Sequence, residues 1–106
     1  MGLDHDIHDQ CARQLKILAD PTRLLVVRTL LDGPRHVRQL NERIPVEQSL
    51  LSHHLRVLRD AGLVLAQRDG KAVQYRLVPD IRPDDQHQAL DLGCCRLAFD
   101  IVAPIG

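Results

Sequence analysis

The sequence is poor in aromatic residues and has no long apolar run. It contains no tryptophan, one tyrosine and one phenylalanine among 106 residues, so aliphatic side chains must build the core. No apolar stretch approaches the roughly 20 residues that a membrane-spanning helix needs, and the acidic N-terminus does not resemble a signal peptide. We therefore expect a cytoplasmic protein with a single domain over residues 1–106.

Net charge is also lacking, because 14 lysine and arginine residues balance 14 aspartate and glutamate residues. The charges are distributed unevenly along the chain. Residues 22–76 hold ten basic against five acidic residues, whereas residues 1–21 hold two against four and residues 77–106 hold two against five. A basic middle between acidic ends is the electrostatic pattern of a phosphate-binding module.

Enzyme motifs are missing from the sequence. It contains no phosphate-binding loop, no nucleophile elbow and no complete metal-hydrolase motif. Together with the basic middle segment, this favours a binding protein over an enzyme. The binding partner is either nucleic acid or, in the alternative, another protein, and a protein-binding module would show no salt-dependent affinity for DNA.

Apolar residues recur at helical spacing in five segments. The predicted helices cover about residues 7–18, 21–31, 37–43, 46–61 and 84–102. Residues 63–77 instead alternate around the turn Arg68-Asp69-Gly70-Lys71, which predicts a β-hairpin. The last helix has two apolar stripes, more than one small domain covers. We therefore predict a homodimer in which the first and last helices pack across a two-fold interface.

The predicted helix over residues 46–61 separates its side chains into two faces. Its apolar arc carries Leu50, Leu51, His54, Leu55, Val57, Leu58 and Ala61. Its polar arc carries Gln48, Ser49, Ser52, His53, Arg56, Arg59 and Asp60. Short hydrogen-bonding groups near the start and arginines further along suit a helix that reads base edges and binds phosphates.

The order of these elements is that of a winged helix-turn-helix, mainly α-helical with a β-hairpin wing. The helices over residues 37–43 and 46–61 form the helix-turn-helix, and the hairpin over residues 63–77 follows them directly as the wing. Arg68 and Lys71 lie at its tip. Next to a recognition helix, we expect such basic residues to contact the DNA backbone or minor groove.

Three stretches of the sequence carry a family pattern. They are LKILADPTR over residues 15–23, QSLLSHHL over residues 48–55 and LRDAGLV over residues 58–64. Together they strongly resemble the ArsR/SmtB family of bacterial winged-helix repressors. The resemblance implies a homodimeric repressor that binds an operator palindrome in double-stranded DNA without a cofactor. It also implies release by an inducer, often a metal or metalloid and sometimes a reactive sulfur species or an oxidant.

The same resemblance implies which residues contact DNA. The base-reading positions of the family correspond to Gln48, Ser49, Ser52 and His53. Arg56 corresponds to a phosphate contact. The chain departs from the family at Glu47, where a serine or threonine often caps the helix. Because glutamate is a poorer N-cap and adds a negative charge near the DNA, we expect a modest loss of affinity.

The metal sites typical of the family are incomplete in this chain. Residues 37–42, before the recognition helix, contain no thiol, so the paired-cysteine box found there in the family is absent. A second family site, for zinc or related ions, begins with Asp-x-His, which Asp85-Gln86-His87 matches. Its second half would fall near Ala98 and Ile101, which cannot bind a metal. Half a site of this kind binds zinc poorly.

Three cysteines are the remaining candidates for sensing: Cys11, Cys94 and Cys95. Thiolates select soft ions, and trivalent arsenic or antimony is expected to take three sulfur ligands. Adjacent cysteines on a helix point about 100° apart, so Cys94 and Cys95 would share an ion only after local adjustment, with Cys11 as the third ligand. We favour an As(III) or similar soft-metal site. A redox or persulfide switch on the same thiols and purely structural cysteines are the alternatives.

Overall fold

The computed structural model describes residues 2–83 and 89–99. These ranges contain four α-helices and two small antiparallel sheets. The elements are α1 (Gly2–Leu18), α2 (Pro21–Leu30), β1 (Arg35–His36), α3 (Val37–Arg43), α4 (Gln48–Asp60), β2 (Val64–Asp69), β3 (Ala72–Leu77), β4 (Arg82–Pro83), β5 (Ala89–Asp91) and β6 (Arg96–Ala98). Among the described residues, no helix has the length and apolar character that a bilayer crossing requires.

The first two helices meet at a sharp break in the chain. α1 begins at Gly2, earlier than the predicted start at Ile7, and ends at Leu18. Asp20 caps α2, since its carboxylate accepts a hydrogen bond from the Arg23 backbone N–H at 3.1 Å. That hydrogen bond holds the pKa of the Asp20 carboxyl below its usual value, because it stabilises the charged form.

The helix-turn-helix is formed by α3 and α4, as predicted. The Asn41 side-chain amide donates hydrogen bonds to the backbone oxygens of Ile44 and Val46 and so fixes the connection between the two helices. Beyond α4, Gly62 adopts a positive φ of 79°, a backbone conformation that favours glycine and stops the helix.

The wing is the predicted hairpin with one additional strand. β2 and β3 pair in antiparallel register from Val64 opposite Leu77 to Asp69 opposite Ala72. The short strand β1 pairs with the other side of β3, so the strand order is β1-β3-β2. The wing is therefore tied to the start of α3 as well as to the end of α4.

The C-terminal segment differs from its prediction. A helix was predicted over residues 84–102, but the described part of that span, residues 89–99, holds β5 and β6, which with β4 form an antiparallel sheet in the order β4-β5-β6. The described ranges hold four helices where five were predicted. Gly93 has a φ of 89° and donates its N–H to the Asp91 carboxylate, which turns the chain between β5 and β6. Because glycine in a helix interior costs about 1 kcal/mol relative to alanine, the turn is favoured here. The helix prediction was wrong because it counted apolar positions and ignored this glycine.

The core contains side chains from the helices and from the C-terminal sheet. Its buried side chains come from α1, α2, α3, α4, the connections between them and the segment around β5: Leu18, Val26, Val27, Leu30, Leu31, Leu40, Ile44, Leu51, Leu55, Leu58, Leu63, Val64, Ile81, Leu90 and Leu92. The β5–β6 hairpin therefore packs on its own domain. A dimer contact through a helix over residues 84–102 cannot form as predicted, because residues 89–91 and 96–98 are strands.

Candidate DNA interface and sulfur cluster

The polar side of α4 carries the predicted recognition residues. Five of them are exposed: Gln48, Ser49, Ser52, His53 and Arg56. On the opposite side of the same helix, Leu51, Leu55 and Leu58 are fully buried in the core. This division leaves the polar side free to approach a nucleic acid while the apolar side holds the helix in place.

Leu50 departs from the expected division of α4. We placed it on the apolar arc, but 45% of its surface is exposed, whereas its neighbour Leu51 is fully buried. Leu50 lies at the edge of the arc, where the helix turns away from the core. An exposed leucine therefore stands beside Ser49 in the first turn of the recognition helix.

The start of α4 is poorly capped. Glu47 occupies the N-cap position, but its side chain accepts no capping hydrogen bond from the first turn. The first backbone N–H groups of a helix have no partner within the helix, so a missing cap leaves them to solvent or to a ligand. In this respect the structure agrees with the weak cap that the sequence predicts.

The tip of the wing presents both predicted basic residues. Arg68 and Lys71 are exposed on either side of the turn between β2 and β3. Asp69, between them, lies 2.9 Å from the His36 imidazole through its Oδ2 atom. His36 also contacts the Gln39 Oε1 atom at 3.2 Å, so the wing tip is tied to the first turn of α3. No pattern in the sequence predicts this contact between residues 33 positions apart.

The three cysteines predicted as sensing residues come together in the folded chain. Cys11 on α1 forms a disulfide with Cys94, with an S–S distance of 2.02 Å. Cys95 is free, and its Sγ atom lies 3.2 Å from that of Cys11 and 3.9 Å from that of Cys94. We call these three sulfur atoms the sulfur cluster.

A turn, and not a helix, brings the adjacent cysteines to one place. Cys94 and Cys95 follow Gly93 in the loop between β5 and β6, and the Leu92 N–H donates a hydrogen bond to the Cys95 carbonyl oxygen at 2.9 Å. The helical angle of about 100° between neighbouring side chains therefore does not apply. Both sulfur atoms lie close to that of Cys11 in the same chain, an arrangement that the sequence could not distinguish from one across a dimer.

The sulfur cluster has the donor set of a soft-ion site. Within the described ranges, it is the only group of three or more histidine, cysteine, aspartate or glutamate side chains close enough to share an ion, with all ligand atoms within 4.8 Å of one another. Metal–sulfur bonds of about 2.3 Å at tetrahedral angles separate the sulfur atoms by about 3.8 Å. The Cys94–Cys95 distance of 3.9 Å is close to that value, and the Cys11–Cys95 distance of 3.2 Å is shorter. The residues present therefore fit a three-coordinate soft ion once the Cys11–Cys94 disulfide is reduced.

The other candidate ligands do not form a site in the described ranges. Asp85, Gln86, His87 and Ile101, named for the half-complete zinc motif, lie outside the described residues, and Ala98 is exposed on β6.

Comparison with known proteins places this fold in a family. The sequence pattern of the arsR family of bacterial regulatory proteins matches residues 20–65, which include α2, the helix-turn-helix and the start of the wing. A homodimeric winged helix-turn-helix DNA-binding domain, Mb0332 from Mycobacterium bovis, has a TM-score of 0.63 and 32% identity, covering 70% of this chain and 68% of that chain. The chain belongs to the ArsR family.

Two relatives of this ArsR-family chain come from Mycobacterium tuberculosis. The transcriptional regulator NmtR is 45% identical over 71% of the chain, and the transcriptional repressor SmtB is 39% identical over 95% of it. The chain spans 62% of NmtR and 66% of SmtB, slightly less than two thirds of each. These relatives are regulators and not enzymes, and the winged helix-turn-helix fold is confirmed by the structural match.

Proposed function

We propose that this ArsR-family chain is a transcriptional repressor that binds operator DNA as a homodimer. The observation that carries the proposal is the exposed polar face of α4 opposite a fully buried leucine face, next to a wing with a basic tip. Such a helix enters the major groove, and a two-fold dimer would place two copies on the two half-sites of a palindrome. The homodimeric state of the similar Mb0332 domain supports the dimer.

The proposed contacts divide by chemistry. The side chains of Gln48, Ser49, Ser52 and His53 read base edges in the major groove, where each base pair shows a distinct pattern of donors and acceptors. Arg56, Arg68 and Lys71 bind phosphates, which position the protein without reading sequence. No cofactor takes part in this binding.

Operator affinity tests this part of the proposal. Binding of reduced protein to DNA from its own promoter region is measured by fluorescence anisotropy at several salt concentrations. Arg68→Ala and Lys71→Ala are each expected to lower the affinity and to reduce the slope of log K against log salt by about one. Arg76→Ala, exposed on β3 away from the tip, is the matched control. Binding without salt dependence would instead support a protein-interaction module.

We further propose that the sulfur cluster is the sensor and that trivalent arsenic, or a soft metal ion of similar chemistry, is the inducer. In a reducing compartment, Cys11, Cys94 and Cys95 are three thiols. Arsenous acid then exchanges its three hydroxyl groups for the three sulfur atoms and releases three water molecules, with no change in oxidation state. The bound ion would connect α1 to the β5–β6 hairpin, and this connection would lower the affinity for the operator.

A comparison of candidate inducers tests the sensor. Reduced protein bound to operator DNA is treated separately with arsenite, zinc, cadmium, copper(I), peroxide or polysulfide. Arsenite at one equivalent per chain is expected to release the parent protein, whereas Cys94→Ser and Cys95→Ser should bind DNA normally and stay bound. Release by peroxide or polysulfide alone would favour the redox alternative, for which the Cys11–Cys94 disulfide is the oxidised form. Release by none of these agents would favour structural cysteines.

A further inference from the structure

One arginine connects three helices of the domain. Arg23 lies in the first turn of α2, where its backbone N–H donates to the N-cap carboxylate of Asp20. Its guanidinium Nη1 atom donates to the Ile17 carbonyl oxygen at 3.1 Å, and its Nε atom donates to His54 Nδ1 at 3.0 Å. The same side chain therefore contacts the end of α1 and the buried side of α4.

The contact on α4 is to a buried polar group. His54 is 8% exposed, and within the described ranges Thr29 is the only other polar residue that is buried. A guanidinium group donates hydrogen bonds and accepts none, so Nδ1 of His54 must be the acceptor and the ring proton must lie on Nε2. Because a buried imidazole without a partner is unfavourable, the hydrogen bond from Arg23 adds a directional contact to the leucine packing that holds α4.

The contact on α1 is to a group that the helix itself leaves unpaired. The Ile17 carbonyl is among the last four of α1, which lack a partner within the helix. Cys11 lies six residues earlier on the same helix, about 9 Å along its axis. An ion at the sulfur cluster that displaced α1 would therefore move the Ile17 carbonyl, which accepts one hydrogen bond from Arg23. The acceptor of the other hydrogen bond, His54, lies on α4.

We infer that Arg23 is a positioning residue that orients the recognition helix and carries the effect of the sulfur cluster to it. This inference rests on the proposed function for its inducer. Arg23 faces away from the proposed DNA contacts, since its partner His54 lies on the buried side of α4 and His53 on the exposed side. Its effect on operator affinity therefore acts through His54 and not through direct contact with DNA.

The test uses the full chain with all cysteines reduced. Arg23→Lys keeps the positive charge but loses the planar group that reaches both acceptors. His54→Asn keeps an acceptor oxygen near the position of Nδ1. Arg28→Lys makes the same chemical change further along α2 and is the matched control. Operator Kd is measured with and without arsenite, and arsenite binding is followed without DNA by sulfur–arsenic absorbance.

We expect Arg23→Lys to weaken operator binding about tenfold without inducer and to reduce the change in Kd caused by arsenite by about tenfold, within the range of measured couplings between sites. Arsenite should still bind at one ion per chain. His54→Asn should keep more of the parent's operator affinity and more of its response to arsenite than Arg23→Lys does. Arg28→Lys should match the parent in both. Nitrogen NMR of the parent should show a protonated Nε2 and an unprotonated Nδ1 on His54.

Two outcomes would overturn the inference. One is an Arg23→Lys variant with the operator Kd and the arsenite response of the parent. The other is a variant that only unfolds at a lower temperature while its folded form binds and responds normally, which would show a purely structural role. If arsenite does not release the parent, the inducer proposal fails. The positioning role of Arg23 is then tested by the operator Kd without inducer and by the His54 tautomer. An Arg23→Lys variant with the parent's Kd would overturn that role as well.

Discussion

The winged helix-turn-helix and the C-terminal hairpin differ in how well the apolar pattern of the sequence predicts them. From Pro21 to Leu77, helix, turn and hairpin follow one another with the periodicity that the sequence shows. From Ala89 to Ala98, an apolar pattern that suits a helix folds as two short strands. The difference shows that an apolar stripe predicts an element reliably only where no turn residue interrupts it. Gly93 interrupts the C-terminal stripe, whereas Gly62 and Gly70 lie at the ends of the elements predicted correctly.

The two parts nevertheless share one core, and the largest expected effect tests this. Leu55 on α4 and Leu90 on β5 are both fully buried. Leu90→Ala should destabilise the domain by about 2–5 kcal/mol, as Leu55→Ala should, because each removes a buried side chain and leaves a cavity. Thermal and denaturant unfolding measure the change.

Leu97→Ala is the control within the hairpin. Because Leu97 is only half-buried, its replacement should lower the free energy of unfolding less than Leu90→Ala does. A Leu90→Ala variant as stable as the parent would show that the hairpin is peripheral to the core. In that case the hairpin would be a segment appended to a domain that folds without it.

Base discrimination tests the proposed role of α4. Ser52→Ala and His53→Ala should each reduce discrimination between the operator and mutated operators by about 1–3 kcal/mol, because each removes a side chain that we propose reads a base edge. Affinity for unrelated DNA should change little, because phosphate contacts carry it. Competition binding with single-base operator variants measures both. His8→Ala, at an exposed histidine of α1, is a matched control outside α4. Discrimination equal to that of the parent in Ser52→Ala and His53→Ala would contradict the assignment.

The cap of α2 links stability to pH. Asp20→Ala should cost about 0.5–2 kcal/mol at neutral pH through loss of the N-cap. Because the pKa of Asp20 is lowered in the folded state, its stabilisation is complete above its ordinary value of 3.8 and disappears as the pH falls through the folded value. Unfolding temperatures of parent and variant should therefore converge at acidic pH. A constant difference down to the lowest pH would contradict the role of the ionised carboxylate.

The smallest expected effect is a gain at the start of the recognition helix. Glu47→Ser supplies a capping hydroxyl that Glu47 does not provide and should stabilise the protein by about 0.5–1 kcal/mol. Removing the negative charge near the DNA should also tighten operator binding. Glu47→Gln removes the charge at the same position without adding a hydroxyl and controls for the loss of charge alone. A loss of stability in Glu47→Ser would mean that the side chain has another role.

Much of the winged helix-turn-helix could be predicted because its signals are local. Asp20-Pro21 marks the start of α2, Gly62 the end of α4, and the alternation around Gly70 the wing. The contacts that tie these elements together could not be predicted. His36 meets Asp69, and Arg23 meets His54, through pairings set by the folded chain and not by sequence spacing.

The sulfur cluster was predicted in composition but not in geometry. The sequence indicated Cys11, Cys94 and Cys95 as a set, on the assumption of two helices. The structure brings the same sulfur atoms together through the turn at Gly93, within one chain. The grouping of the three cysteines followed from the chemistry of thiols. The wrong secondary structure around Cys94 and Cys95 followed from the apolar stripe.

The central proposal is that a sulfur site joins α1 to the hairpin, and X-ray absorption at the arsenic edge tests it most directly. Reduced protein loaded with one arsenite per chain is expected to show three sulfur neighbours around arsenic. Cys11→Ser should show two, with oxygen in the third position. Two sulfur neighbours in the parent, unchanged by Cys11→Ser, would place arsenic on Cys94 and Cys95 alone and would contradict the proposal.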